Sequence, residues 1–330
     1  MFVRKALGRQ LPPIQRLAPS AGRHHSAAAT QYGGAVGSSA HRVYFAQANK
    51  VPISPWHDIP LFADTSSSPE YNMVCEIPRW SNAKLEIDTK APFNPIKQDS
   101  KNGQLRYIAD VFPYKGYIWN YGAFPQTFED PEHTDRDTGC VGDGDPVDVI
   151  EVGQAVCAEG SVHRVKVLGL VALIDDGETD WKVFAIRVDD PLAAKIHGIA
   201  GLEEYMPGLV SATVDWFTKY KVPDGKPLNN WAFDGQAKDA DYAHSVIAST
   251  HEAWNKLIHS KEDLGFTLDN TTIRSSPHLL AADRAALALK ALTDHASGQA
   301  PLDPAQNPPV AHSTKWHYVR EGMVANTVKK

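Results

Sequence analysis

Asp143-Gly144-Asp145-Pro146-Val147-Asp148 puts three carboxylates within six residues, a charge density that suits metal chemistry. Pro146 forbids a continuous helix through the run, so the segment reads as a turn. Like charges about 4 Å apart at an effective dielectric near 20 repel by roughly 4 kcal/mol per pair, and a folded cluster of this kind needs cations to offset it. Hard divalent ions of the magnesium type are the natural partners, because they take carboxylate oxygens and no soft ligand lies in the run. A solvated acidic loop would show the same triplet, so the reading depends on what converges with it.

Further acidic groups stand at expected strand ends: Glu76, Glu86, Asp175 and Asp180. Basic groups accompany them, since strict alternation puts Lys84 on the face of Glu86 and Lys182 on the face of Asp180, and Arg106 lies opposite Leu105 and Tyr107. Carboxylates for metal and cations for phosphate oxygens together suggest a metal-phosphate substrate. Other metal and nucleotide motifs fail. An EF-hand loop starting at Asp143 would place Val147, Asp148 and Gln154 where Asp or Asn, Gly and Glu are required. There is no G-x-x-x-x-G-K-[ST] run and no H-E-x-x-H among the fourteen histidines, and His57, His133 and His163 read as structural or surface residues.

The elements that would position these groups are mostly short strands, at residues 73–77, 83–87, 104–108, 147–152 and 162–174, with a hairpin through 175–180 into 181–186. Gly169 marks a bend or bulge. Residues 54–61, bracketed by Pro55 and Pro60, read as an extended segment against the body, and residues 116–122 as an aromatic loop or irregular strand. Leu209, Thr213, Trp216, Phe217 and Tyr220 mark the inner face of one helix, and Tyr242, Val246, Thr250, Trp254 and Ile258 that of another. An alanine-rich helix is expected over 281–292, then a proline-rich, helix-free tail carrying Trp316 and Tyr318. Such a pattern is mainly β with flanking helices, α+β in class, and suggests a small closed barrel.

With 330 residues and 42% apolar content the chain can bury a substantial core, and no apolar run is long enough for a membrane span. Cys75, Cys140 and Cys157 are too few and too scattered for a disulfide framework or a zinc site and read as free thiols. No Asp or Glu occurs before His57, whereas Arg4, Lys5, Arg9, Arg16, Arg23, Arg42 and Lys50 give +7, leaving −13 on the rest. Residues 1–40 therefore read as a mitochondrial presequence of approximate end, and 41–330 as a single domain with an extended tail from about 270. A body at −13 opposes general nucleic-acid binding.

The runs Glu76-Ile77-Pro78-Arg79-Trp80, Asn82-Ala83-Lys84-x-Glu86, Gly116-Tyr117-Ile118-x-Asn120-Tyr121-Gly122-Ala123-Phe124-Pro125-Gln126-Thr127 and Asp176-Gly177-Glu178-Thr179-Asp180-Trp181-Lys182, with the acidic turn, closely resemble family I soluble inorganic pyrophosphatases. The eukaryotic branch fits best, over roughly residues 52–268. The resemblance implies a closed five-stranded barrel of OB-like topology with helices outside, and magnesium-dependent hydrolysis of diphosphate to two phosphates, with manganese or zinc as substitutes. Asp143, Asp148 and Asp180 would hold the first metal, with Asp148 shared by the second, and Asp175 would help Asp180 hold one arriving with substrate. Asp145 would be the base, and Glu86 would act through water. Lys84, Arg106, Lys182, Tyr220 and Lys221 match phosphate-binding positions, Tyr121 matches a tyrosine on the leaving-phosphate side, and Glu76 and Tyr117 support from nearby. No covalent nucleophile is needed, because paired metals can supply hydroxide at neutral pH.

The presequence outside the resembling region suits a mitochondrial-matrix isoform. The family also implies a homodimer, with Arg79 and Trp80 at the subunit contact together with Trp316. Two rival readings are a broader metal-dependent polyphosphate or nucleotide phosphohydrolase and an OB-like nucleic-acid-binding module using Tyr117, Trp119 and Tyr121 as a stacking platform.

Overall fold

Alternating Val, Ile and aromatic residues form five long-range strands: β1 (Glu70–Ile77), β2 (Asn120–Ala123), β3 (Asp148–Glu151), β4 (Val162–Asp175) and β5 (Glu178–Arg187). The structure, a computed structural model, describes residues 29–64, 69–297 and 315–319. β1 pairs antiparallel with β2, β2 antiparallel with β3, β3 parallel with β5 and β5 antiparallel with β4. β4 then pairs antiparallel with β1, so the pairings return to the strand where they began. Phe62–Asp64 extends this sheet beside β1, and Asn230–Trp231 extends it beside β4.

Side-chain parity sorts the core into two faces. On β4, Val165 and Val167 join one cluster, the register shifts between Val167 and Gly169, and beyond it Leu170 and Ala172 carry on in that cluster while Val171 and Leu173 face the other. The expected bulge is therefore present, and one added residue inverts which positions face which way. The face of Leu173 is also the face of Ile150 on β3 and of Phe184 and Ile186 on β5. Continuing the period of two along each strand puts Asp148, Asp175, Asp180 and Lys182 on that same face.

Helices close the two faces. α1 (Ile199–Tyr205) was not foreseen, whereas α2 (Leu209–Lys219) and α3 (Ala240–His259) carry the expected apolar stripes. Thr213, Trp216 and Phe217 of α2 are buried against the cluster holding the site, and Asp239 caps α3 by accepting from Tyr242 N–H at 2.9 Å. α4 (Ala282–Ser297) buries Ala285 and Leu289 against Tyr44 and Phe93.

A second sheet joins Ala29–Gly33, Arg42–Ala46, Pro52–Ile53, Ile96–Gln98 and Leu85–Ile87, linking the chain's start to the strand of Lys84 and Glu86. Two local expectations are corrected. Residues 54–61 form a buried turn, held by Ser54 Oγ accepting from Trp56 and His57 N–H. The expected strand at 104–108 is only Gln104–Leu105, hairpinned to Ser100–Lys101, with Tyr107 bridging Ala83. The aromatic run is irregular as expected, becoming strand only at Asn120 with a register shift after Tyr121. Of the presequence reading, residues 1–28 lie outside the described residues, while Ala29–Gly33 pairs with Arg42–Ala46. In the tail, residues 298–314 lie outside them too, and beyond these His317 bridges Val111 in parallel.

Candidate active site

The acidic turn is templated by the segment before it. Val147 O accepts from Phe124 N–H at 2.9 Å, Thr127 Oγ1 accepts from Val147 N–H at 2.9 Å, Asp145 O accepts from Glu129 N–H at 2.9 Å and Glu129 O accepts from Gly144 N–H at 2.8 Å. Asp143 adds a local bond, its Oδ1 accepting from Asp145 N–H at 2.9 Å. Gly144 has φ 87°, a left-handed conformation that side-chain-bearing residues rarely adopt. The turn is thereby fixed with Asp143 facing the strand ends and Asp145 opening onto a cleft.

The same clamp brings in Glu129, a residue that the sequence analysis missed. Its Oε1 accepts from Trp181 N–H at 3.0 Å, and carboxylate oxygens of Glu129, Asp143 and Asp180 all lie within 4.8 Å of one another. Nothing in its local spacing marks it; its only signal was the proximity of the quoted run ending at Thr127.

Parity delivers the strand-borne groups as expected. Asp148 lies opposite Lys182 in the parallel register of β3 and β5, and the Lys182 ammonium donates to Asp148, to Asp180 and, at 2.9 Å, to Tyr121 OH. Tyr121 OH in turn donates to Asp148. The ammonium also sits 5.1 Å from the centre of the Phe217 ring and 5.5 Å from that of Tyr121. Trp119 stacks on Phe217 with centroids 5.1 Å apart, and Trp216 stacks on Tyr220 at 5.0 Å, so aromatic packing sets both site tyrosines. At the mouth of the hairpin, Asp175 accepts from Lys221 and, at 3.1 Å, from Tyr220 OH.

Lys84 donates to Glu86 at 2.5 Å, confirming their shared face, and Arg106 donates to Asp99 at 2.5 Å. Asp99 also lies 3.5 Å from Lys84, so it links the two cations and is a second residue that sequence reasoning missed. Glu76 is buried and accepts from Ile87 N–H at 2.7 Å, while Tyr117 is buried against Tyr121 and Trp216. Two openings flank the assembly. A cavity of about 400 Å³ is lined by Glu86, Asp143 and Asp145, and one of about 190 Å³ by Arg106 and Lys221.

Electrostatics follow from this crowding. Burial, then repulsion from Asp143, Asp180 and Asp148, pushes the Glu129 carboxyl well above the usual range. Asp180 is raised likewise by burial, which outweighs the neighbouring Lys182. Asp143 is raised by burial and by Asp148. Although Asp145 opens onto the cleft, the surrounding walls strip much of its hydration, and Asp143 and Glu86 add to the upward shift. The two lysines are raised as well, which for an ammonium favours the charged form. Burial works against the charge of Lys182, but Asp148 and Asp180 outweigh it, and Glu86, Tyr117 and Asp99 do the same for Lys84. The carboxylates outnumber the cations they touch, so divalent ions have a clear electrostatic role, and an all-oxygen donor set fits hard ones.

The remaining expected residues lie elsewhere. Arg79 donates to Gly153 O and its guanidinium sits 5.6 Å from the Trp80 ring centre; Trp80 is 57% exposed. Trp316 is 43% exposed and packs edge-on to Phe112 with centroids 5.7 Å apart. Tyr117, Trp119 and Tyr121 are all buried, so they offer no stacking platform to a nucleic acid.

Carboxylates on one wall and lysines with an arginine on the other define a centre for metal-assisted chemistry on a phosphate-bearing substrate. Residues 73–255 match the family model described as inorganic pyrophosphatase. Inorganic pyrophosphatases from Drosophila melanogaster and Homo sapiens are each 54% identical over 253 residues, spanning 76% of this chain and 75% and 86% of theirs. The solved structure of inorganic pyrophosphatase from Schistosoma japonicum superposes with a TM-score of 0.79 at 44% identity, covering 88% of this chain and 100% of the other. The chain belongs to the inorganic pyrophosphatase family, in its eukaryotic type. Members of the family are metal-dependent hydrolases of diphosphate.

Proposed function

We infer that this chain hydrolyses inorganic diphosphate to two phosphates with magnesium, by direct attack of water. The observation that carries the reading is the meeting of Glu129, Asp143, Asp148 and Asp180 with Lys182, Lys84 and Arg106 around one cleft system. Asp143, Asp148 and Asp180 would hold the first cation, with Asp148 shared, and Asp175 would take part once Lys221 turns to substrate. Bound divalent cations supply charge neutralisation and acidify water at the site.

The protein's own groups do the rest. Asp145, raised in basicity and open to the cleft, accepts the water's proton, and Glu86 orients water beside it. Lys84 and Lys182 bind phosphate oxygens; Arg106 and Lys221 neutralise charge growing on the departing phosphate, to which Tyr220 donates a hydrogen bond. Tyr121 fixes Asp148 and Lys182 relative to each other. Glu76 and Tyr117 hold the strand and ring positions behind them. An acid-quenched single turnover with radiolabelled diphosphate should leave the protein unlabelled; a stoichiometric phosphoprotein contradicts direct attack.

The cyclic strand pairing supports a closed five-stranded barrel of OB-like topology. Exposed Trp80 with Arg79 beside it, and exposed Trp316, support a homodimer, which sedimentation of the wild type and Trp80→Ala checks directly. We place the protein in the mitochondrial matrix, with the presequence removed before the paired strand at Ala29, a boundary earlier than residue 40. Mature protein from cells that starts at Met1 contradicts that placement.

A further inference from the structure

Cys75 and Cys157 lie far apart in sequence and together in the fold. Cys75 N–H donates to Ser161 O at 2.8 Å and its carbonyl accepts from Gly160 N–H at 2.8 Å, which lays the loop around 157–161 along the end of β1. Cys157 N–H donates to Asn120 Oδ1 at 2.9 Å, and Asn120 opens β2, the strand paired with β1. Both thiols are free, and their side chains lie close enough to act on each other electrostatically.

The two are chemically unequal. Cys75 is wholly buried, while Cys157, 3% exposed, directly follows the exposed residues Gln154, Ala155 and Val156. Arg187 Nη1 lies 3.9 Å from Cys157 Sγ. The influence of Cys75 outweighs burial and, with His163 and Arg187, holds the Cys157 pKa down to about 5. The influence of Cys157 and deeper burial push the Cys75 thiol up. One residue is therefore nucleophilic just beneath the surface, and the other is a thiol in reserve.

We propose that Cys75 and Cys157 are an oxidative modification site, a dithiol that hydrogen peroxide closes to a disulfide and that slows hydrolysis through Glu76. The Cys157 thiolate attacks one peroxide oxygen; the O–O bond breaks, an S–O bond forms, and hydroxide leaves. Cys75, giving its proton to that hydroxide, then attacks the Cys157 sulfur; the S–S bond forms, the S–O bond breaks, and the second oxygen leaves as hydroxide, taking up a proton from solvent to become water. Both sulfurs are oxidised and both peroxide oxygens reduced. A disulfide of about 2.05 Å is shorter than any non-bonded sulfur contact, so closure pulls the end of β1 and the 157–161 loop together. Glu76 is the next residue on β1, and its carboxylate holds Ile87 N–H on the strand that carries Glu86.

The test uses the full chain with Cys140→Ser, treated with dilute hydrogen peroxide. Both remaining thiols should vanish together, the mass should fall by two hydrogens, and digestion should give a linked peptide containing residues 75 and 157. Diphosphate hydrolysis should slow by about fivefold or more, since small displacements at positioning groups cost rate steeply, and dithiothreitol should restore it. Adding Cys157→Ser should leave Cys75 reduced under the same treatment. Survival of both thiols, oxidation of Cys75 without Cys157, or a disulfide form that hydrolyses as fast as the dithiol form overturns the proposal. The rate arm rests on the proposed hydrolase reading, whereas thiol count and mass do not, so failure of either is told from the other.

Discussion

Asp145 and Asp143 are two residues apart, yet the turn gives them different work. Asp143 faces Glu129 and Asp180, while Asp145 opens onto the cleft with its backbone fixed by Glu129 N–H and the Asp143 carboxylate. Replacing Asp145 with Asn keeps shape and removes basicity, so turnover should fall by about 10² or more with magnesium binding largely intact. Near-normal turnover removes it as the base. Glu129→Gln keeps an oxygen to accept from Trp181 N–H but loses the charge, and magnesium affinity should weaken by roughly tenfold. Titration calorimetry reads this directly, and unchanged affinity contradicts a metal-facing role. The acidic turn and the Lys-x-Glu and Asp-x-Lys pairs were legible in sequence because a period of two fixes which side chains share a face. Glu129 and Asp99 were not, because their roles come from chain segments folding back onto the site.

Elements hold these residues through close backbone contact. A Cβ on Gly122 would meet Val74 O at 2.0 Å across the pairing of β2 with β1, and backbone cannot swing aside as a side chain can. Gly122→Ala should cost about 3 kcal/mol in urea denaturation; a loss within the surface-substitution range contradicts the tight pairing. The buried turn at 54–61 makes a second case. His57 accepts from Trp254 Nε1 at 3.0 Å and its Nε2 donates to Thr267 O at 3.1 Å, and burial lowers its pKa from 6.5 to about 3. Between those values the unfolded chain binds a proton that the folded chain excludes, so stability falls as pH falls from about 6.5 toward 3, at up to about 1.4 kcal/mol per pH unit. The stability gap between wild type and His57→Gln should therefore narrow by about 2 to 3 kcal/mol from pH 7 to pH 4.5; a constant gap contradicts the neutral buried imidazole. Neither feature was visible beforehand. The prolines around residues 54–61 suggested an extended segment, and only the hydrogen bonds of Ser54 and Asp58 reveal the turn.

Across the whole molecule, the strand pattern was readable because β4 and β5 are long and apolar, and α2 and α3 because their stripes repeat at helical spacing. Of the second sheet only the strand over 83–87 was readable: the others are as short as two residues and come from distant parts of the chain. That sheet matters, since it carries Leu85–Ile87 and so sets the wall of Lys84 and Glu86 against the acidic turn. This two-walled centre is built for diphosphate and depends on divalent cations. Phosphate release by the purified protein from diphosphate, ATP and p-nitrophenyl phosphate across a magnesium titration measures both properties at once. Strong preference for diphosphate, with activity absent before magnesium is added, is the predicted result. Comparable rates on ATP or p-nitrophenyl phosphate, or full activity in excess chelator, would contradict it.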